Sequence, residues 1–482
     1  MHDGAGMPPA GQHGAPVALL PFQEPIPGMT PVRNLPSARP VSSLRQRHII
    51  MIAFGGAIGA GLFVGSSAVI AAAGPAALLA FAGVGLLVML IMRMLGEMVV
   101  ANPGKGSFIA YIRAAHGPAA AFTAGWLYWF FWLVALGSEA IAGAIILHEW
   151  IGLPVWLLAT ALIVALELVN LAAVHIFGEC EFWLSLIKVA SILFFIAAGV
   201  LYLAHVFAPG VPAMWNPARA GGMFPHGMAA MVSIVPTVLF AMIGSEIATV
   251  AAGESAEPAR NVGRVTRTLG LRLVAFNSLS VALIVMIVPW SDVVPGQSPF
   301  VQAMQVMGIP GAAPAMRIVV LTAILSCMNS SLYITSRVMA ELAGHGDAPA
   351  LFRRRADQKA PVNAIMANSV AGALVAFSSI LAPGTVFAFL LSCSGGVMLL
   401  VYSLIVTAYV VIRRRVPPDE QRLFFSIPFF PALNFMTLGG VAVIFAAMLL
   451  DHAQRPVAVA SLGTSFFFIM AYGARRWLFR RG

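Results

Sequence analysis

The sequence predicts an all-α integral membrane protein with twelve transmembrane helices. The 482 residues are 60% hydrophobic and 10% charged, with a mean hydropathy of +0.90, too little charge for the surface of a soluble chain this long. Apolar runs of about 20 residues recur along the chain, the length that crosses ~30 Å of hydrocarbon. These runs lack the period-two alternation and polar content of an outer-membrane barrel.

Residues 1–44 come first and differ from the rest. They are rich in Pro and Gly, without periodicity, and read as a disordered tail. They have no basic start, apolar core and small-residue cleavage site of a signal peptide. The expected spans are 47–71, 76–100, 119–147, 154–175, 180–204, 228–253, 269–289, 315–343, 361–381, 385–411, 427–449 and 456–476, with Pro75, Pro118, Pro154, Pro314, Pro361, Pro383 and Pro456 punctuating the connections. Most of the 28 Lys and Arg fall on one side, as in Arg45 and Arg47, Arg260, Arg264, Arg267 and Arg272, Arg413 to Arg415, and Arg475 and Arg476. The other side holds Arg219, Arg317 and Arg455. The positive-inside rule therefore expects both termini in the cytoplasm and the chain in the cytoplasmic (inner) membrane. With its basic residues in such loops, the net charge of +10 orients spans and gives no reason to expect a nucleic-acid partner. Cys180, Cys327 and Cys393 show no metal spacing, and no disulfide, metal or other cofactor is expected.

This orientation makes span 1 enter from the cytoplasm and span 6 from outside. Residues 47–204 and 228–411 then form two five-span units of opposite topology, with 427–476 appended, an arrangement common in secondary transporters. Span 1 carries GGAIGAGLFVG, Gly55 to Gly65. Glycine costs a helix interior ~1 kcal/mol relative to Ala, and Gly59 lies 12 residues past Arg47, or ~18 Å deep. Two readings stand. The glycines form a close-packing face, Gly55 with Gly59 and Gly61 with Gly65, or they break the helix so that backbone N–H groups receive a carboxylate. Span 6 has a matching interruption, with Pro236, Gly244 and the intramembrane carboxylate Glu246. Such pairs of interruptions point to a transport site, whereas the plain reading of Glu246 is a solvated vestibule.

Other residues divide similarly. Arg93 and Glu97 in span 2 form an i, i+4 pair of structural character. Trp126, Trp129 and Trp132 in span 3 recur every three residues as a packing stripe, and Glu167 in span 4 reads as structural. Glu139 in span 3 either shapes a pocket or binds a distal amine, or is a buried, protonated Glu bonded to backbone. Lys188 in span 5 lies nine residues past Glu179, ~13 Å deep. It either exchanges a proton or forms a fixed pair with Glu181. Asn329, Ser330 and Ser331 in span 8 either line a path or bond between helices.

GGAIGAGLFVGS from Gly55, RMLGEM from Arg93, GWLYWFFWL from Gly125, GECEFWLSLIKV from Gly178, FAMIGSEIATVAAGESAEP from Phe240 and SCMNSSLYITSRVMAELAGHGDAP from Ser326 follow one another in order. The chain resembles the amino acid permeases of the amino acid–polyamine–organocation superfamily over residues 45–476, most of all gamma-aminobutyrate permeases. The resemblance implies a five-plus-five inverted repeat with broken helices 1 and 6 plus two C-terminal helices, and proton-coupled uptake of an amino acid. Gamma-aminobutyrate is the first expectation; proline, aromatic or basic amino acids, taken up by symport or exchange, are the alternatives. The implied carboxylate site is the backbone N–H groups of Ile58, Gly59, Ala60 and Gly61. The ammonium would meet carbonyls near Phe240, Ala241 and Gly244, with Phe240 as an aromatic gate. Ala57 and Ala60 stand where many relatives carry Thr or Ser. Lys188 and Glu246 are the expected proton-coupling groups, with Lys188 close to Gly56 and Ala57. A membrane enzyme would need clustered His, Asp, Glu or Cys, a sensor an output domain and a channel a charged ring. GAIGAG lacks the P-loop Lys, so energy is expected from an ion gradient or from exchange, and the resemblance implies a proton gradient. Oligomeric state is not readable.

Overall fold

The computed structural model describes residues 47–48, 51, 58–101, 107–171, 174–204, 221–244, 246–247, 258–353, 360–417, 427–452 and 454–478. The expected tail 1–44 and Gly55, Gly56 and Ala57 lie outside the described residues. The described residues all belong to one compact unit, Ala38–Gly482. No strand occurs among them.

The main helices are α1 (Ala60–Phe63), α2 (Gly65–Ala73), α3 (Ala77–Ala101), α4 (Phe108–His116), α5 (Pro118–Ile151), α6 (Val155–Leu171), α7 (Val174–Leu203), α8 (Gly227–Ser233), α9 (Val235–Phe240), α10 (Pro258–Ile287), α11 (Pro299–Val306), α12 (Ala312–Gly344), α13 (Val362–Phe377), α14 (Pro383–Arg415), α15 (Ala432–Leu450) and α16 (Arg455–Leu478). Among the described residues eight stretches are long and apolar enough to cross a membrane, the first a 40-residue stretch over α1 to α3. Val155–Leu171, Gly227–Phe240 and Val274–Ile287 are shorter apolar helices. Proline opens several elements: Pro118, Pro299 and Pro383 stand at the first helical position, where a missing N–H costs nothing.

Burial separates a central layer from a lipid-facing shell. In the most apolar stretches of α5, α12 and α14, 78%, 72% and 72% of residues are buried, against 33%, 28% and 22% in α7, α15 and α16. The shell therefore presents exposed Leu, Phe and Ile such as Leu168, Phe194, Leu450 and Phe466, which in water would be costly and in lipid is not. The broken segments α1–α2 and α8–α9 pack into the central layer, α9 chiefly against α14.

That last contact depends on one glycine. A Cβ at Gly395 would lie 1.9 Å from the carbonyl oxygen of Pro236. This neighbour is backbone and cannot rotate away. Gly395→Ala is expected to destabilise the protein by an amount at the upper end of ~1–3 kcal/mol or beyond. A thermal-shift measurement in detergent, compared with Gly439→Ala, where an added Cβ meets nothing within 4 Å, checks it.

The helix ends are tied by charge at one face of the bundle. Asp347, just past α12, is nearly buried and pairs with Arg113 of α4 and with Arg475 of α16, the latter at 2.7 Å. The Tyr409 hydroxyl of α14 donates to Glu97 of α3 at 2.7 Å, and Glu97 stands 3.6 Å from Arg93, so the i, i+4 pair is part of an inter-helix tie. Arg415 donates to the carbonyls of Ala114 and Ala115, satisfying acceptors at the end of α4.

Candidate substrate site between two helix breaks

The first break is at Ile58 and Gly59, where Gly59 is extended (φ −133°, ψ −155°) and caps α1. A new helix starts at Ala60, and the first N–H groups of a helix have no intrahelical acceptor. The second break follows Phe240. Residues 241–244 are turns, and Gly244 has φ +139°, a conformation that side chains with a Cβ rarely adopt. The Ala241 carbonyl accepts from the Asn277 amide at 3.3 Å.

The two breaks face a single small cavity, lined by Gly59, Gly61, Glu139, Phe240, Ala241 and Cys327, with Phe131, Trp132, Ala135 and Ile243. Its free space is about 10 Å³, at the threshold for one water. Phe240 and Phe131 are 5.8 Å apart between ring centroids. A Cβ on Gly61 would lie 2.7 Å from the Phe240 ring, so the second break closes directly on the first.

Three buried carboxylates and one lysine surround the breaks. The Ala60 N–H donates to both oxygens of Glu139 at 2.9 Å. An acidic side chain thus already occupies one of the backbone donors expected to meet a substrate carboxylate. Lys188 is fully buried and its Nζ donates to the Ile58 carbonyl at 2.9 Å, on the residue that immediately precedes the Gly59 cap. Gly56 and Ala57, the expected partners, lie outside the described residues. Glu181 accepts from Ser185 at 3.2 Å, from Ser326, and from Asn329 at 3.0 Å. Asn329 in turn accepts from Asn170 at 2.8 Å. This polar chain joins α6, α7 and α12, and gives Asn329 an inter-helix bonding role.

Glu246 lies apart from that cavity. It is fully buried, not solvated, and accepts from the hydroxyls of Tyr128 and Tyr402 at 3.4 Å each and from the Gly244 N–H at 3.1 Å. Gly244 therefore shapes the Glu246 pocket, while Ala241 and Phe240 shape the cavity. The two pockets meet through Tyr128 and Trp132, whose rings are 6.2 Å apart. Sequence reasoning missed Tyr128, Tyr402 and Asn277, because a tyrosine or a single asparagine in an apolar helix carries no distinctive spacing. The tryptophan stripe also divides: Trp132 lines the cavity, whereas Trp126 and Trp129 line a groove between α5 and α16. Three residues turn a helix ~300°, so each step of three drifts ~60° around the helix.

Glu246→Gln is expected to lower transport about tenfold and to flatten or shift its pH optimum, since hydrogen bonds to a charged group contribute ~1.5–3 kcal/mol. Uptake rates across a pH series check this. A pH profile unchanged from wild type would remove Glu246 from the transport cycle.

A larger cavity of about 580 Å³ opens at the end of the bundle away from Asp347. Its walls include Val69, Ile234, Thr237, Gly296, Thr385 and Ser392, with Gln454 at the rim. Thr237 and Ser392 are hydrogen-bonded at 2.8 Å across α9 and α14. Val64, Gly65 and Ala68 of the first broken segment and Ile234 and Thr237 of the second form part of its wall, so the cavity borders both.

A family model described as amino acid permease matches residues 48–481. The chain belongs to the amino acid permease family. The gamma-aminobutyric acid permease of Bacillus subtilis is 40% identical over 416 residues, covering 86% of this chain and 88% of that protein. The gamma-aminobutyric acid permease of Escherichia coli is 37% identical, covering 86% of this chain and 89% of that one. The aromatic amino acid transport protein AroP of Corynebacterium glutamicum is 34% identical over 86% of this permease and 90% of the relative. Among solved structures, a mutant of the manganese transporter of Eremococcus coleocola superposes with a TM-score of 0.57 at 14% identity, covering 89% of this chain and 94% of that one. At that identity the likeness is one of fold. This permease is a multi-pass membrane protein of that all-helical transporter fold.

Proposed function

We propose that this permease imports gamma-aminobutyrate together with protons across the cytoplasmic membrane. In this reading twelve spans form a five-plus-five inverted repeat over 47–204 and 228–411, with 427–476 appended and both termini in the cytoplasm. The 580 Å³ cavity is then the outer vestibule, and the small cavity between the breaks is the substrate site in a contracted state.

The observation that carries this reading is the Glu139 carboxylate on the Ala60 N–H. It stands where the substrate's carboxylate would go. Substrate entering from the vestibule displaces it, bonds the N–H groups around Gly59 to Gly61, and leaves Glu139 to pair with the ammonium end. The ammonium also meets the carbonyl at Ala241, while Gly244, whose carbonyl accepts from the Ile247 N–H at 3.1 Å, stays with the Glu246 pocket, and Phe240 covers the ligand. Protonated Lys188 holds the Ile58 carbonyl and so fixes the first break; its deprotonation releases that carbonyl. Glu246 supplies a second protonatable group at the second break. Gamma-aminobutyrate has no side chain, which suits a cavity crowded by Phe131, Trp132 and Phe240. An aromatic substrate, as named for AroP, would require those three rings to move much further.

Purified protein in proteoliposomes tests this directly. An imposed inward proton gradient is expected to drive accumulation of labelled gamma-aminobutyrate, and unlabelled gamma-aminobutyrate is expected to compete better than proline, phenylalanine or lysine. Stronger competition by any of these reassigns the substrate. Exchange without accumulation removes proton coupling.

A further inference from the structure

The groove lined by Trp126 and Trp129 takes no part in the transport site. It lies between α5 and α16 and has a volume of about 800 Å³, with almost entirely apolar walls from Phe122, Phe130, Leu133, Gly463, Phe467 and Phe468. Its residues on α5 run from 122 to 133, or ~16 Å of helix, about half the ~30 Å hydrocarbon thickness. That is the depth of one leaflet. Next to it, toward Asp347, lies a second pocket of about 430 Å³, walled by Arg113, Tyr472, Arg475, Arg476, His345 and Asp347.

The two pockets are one turn apart on both helices: Pro118 precedes Phe122 by four residues on α5, and Arg475 follows Ala471 by four on α16. Aromatic contacts bridge the junction, with Phe122 and Tyr472 at 5.4 Å, and the Arg475 guanidinium 5.9 Å from the Phe122 ring. The walls carry three arginines against one carboxylate, Asp347, with Glu341 behind them in electrostatic reach of Arg113 and His345, so the pocket keeps a positive charge after both carboxylates are counted. An apolar slot one leaflet deep, headed by a basic pocket, matches one chemistry: a phospholipid with an anionic headgroup.

We infer that this groove and pocket form a specific site for an anionic phospholipid, its phosphate at Arg475 and Arg476 and one acyl chain along Trp126 and Trp129. The occupant belongs to the leaflet at the basic end of the bundle. This site stands independently of the substrate assignment.

The test is tryptophan quenching in vesicles that contain phosphatidylglycerol or phosphatidylcholine with brominated acyl chains. Brominated phosphatidylglycerol is expected to quench more than brominated phosphatidylcholine at equal mole fraction, and the excess is expected to vanish in the Trp126→Phe/Trp129→Phe variant. Arg476 is exposed, so Arg476→Gln leaves the fold intact. It is expected to lower the preference for phosphatidylglycerol about fivefold, one arginine's share of such attraction. Gly463→Phe projects into open space and is expected to fill the groove and remove the excess quenching. Equal quenching by both lipids in the wild type overturns the site. Abolition of the excess by inorganic phosphate assigns the pocket to free phosphate and overturns the lipid. Cross-linking of Gly463→Cys between two copies in the membrane makes the groove a protomer interface and overturns it as well.

Discussion

Gly59→Val is expected to lower substrate affinity on the order of 100-fold or more while the protein still inserts and purifies as a single species. A Cβ at this position would lie 2.4 Å from Oε1 of Glu139 and 2.8 Å from both Cβ and Sγ of Cys327. Overpacking of this kind costs ~1–3 kcal/mol in a core, and ~3 kcal/mol corresponds to about two decades of affinity. Backbone strain is not the cause, because Gly59 is extended with φ −133°. The effect arises because the added methyls push Glu139 and Cys327 into space the substrate needs. Equilibrium binding of labelled substrate to the purified variant measures it, with size-exclusion chromatography as the folding control. Near-normal affinity would mean that the break serves helix packing and is not a site.

Lys188→Ala is expected to abolish proton-driven accumulation while retaining substrate exchange. The lysine is fully buried, its ammonium holds the Ile58 carbonyl at 2.9 Å, and Glu181 and Glu139 lie within electrostatic reach of it. Removing it takes away one hydrogen bond to a backbone carbonyl that has few alternatives in a dry interior. It also removes the only buried cation that the structure places against the first break among the described residues. A loss of at least tenfold in uphill uptake, with exchange within a few-fold of wild type, is the expected pattern in proteoliposomes. If the variant still accumulates substrate when only a proton gradient is imposed, Lys188 is a tether and the coupling proton travels elsewhere.

The helical membrane architecture was legible because it depends on composition and run length alone. Every expected span from 76–100 onward falls on or overlaps a helix, and the shift of the seventh toward Pro258 shows a helix continuing beyond its apolar part into polar sequence. The breaks were legible through Gly59, Pro236 and Gly244, residues with backbone consequences that do not depend on neighbours. Lys188 and the three glutamates stood out because a charge in an apolar run is rare. The partners of those charges were not legible. Tyr128, Tyr402 and Asn277 come from helices far away in sequence and look like ordinary residues of apolar segments.

The sequence by itself determined that this chain is a bundle of membrane helices, where two of them are interrupted, and which charged groups lie inside apolar spans. These are local properties: hydropathy, helix propensity and distance along one helix. Tertiary structure decided which charge meets which break. It set Glu139 on the Ala60 N–H, Lys188 on the Ile58 carbonyl and Glu246 between two tyrosines, and it turned Trp132 inward while Trp126 and Trp129 face a groove beside α16. Packing between helices decides such pairings, because side chains separated by 79 to 156 residues meet only when several helices settle at fixed crossing positions, which no single stretch of sequence specifies.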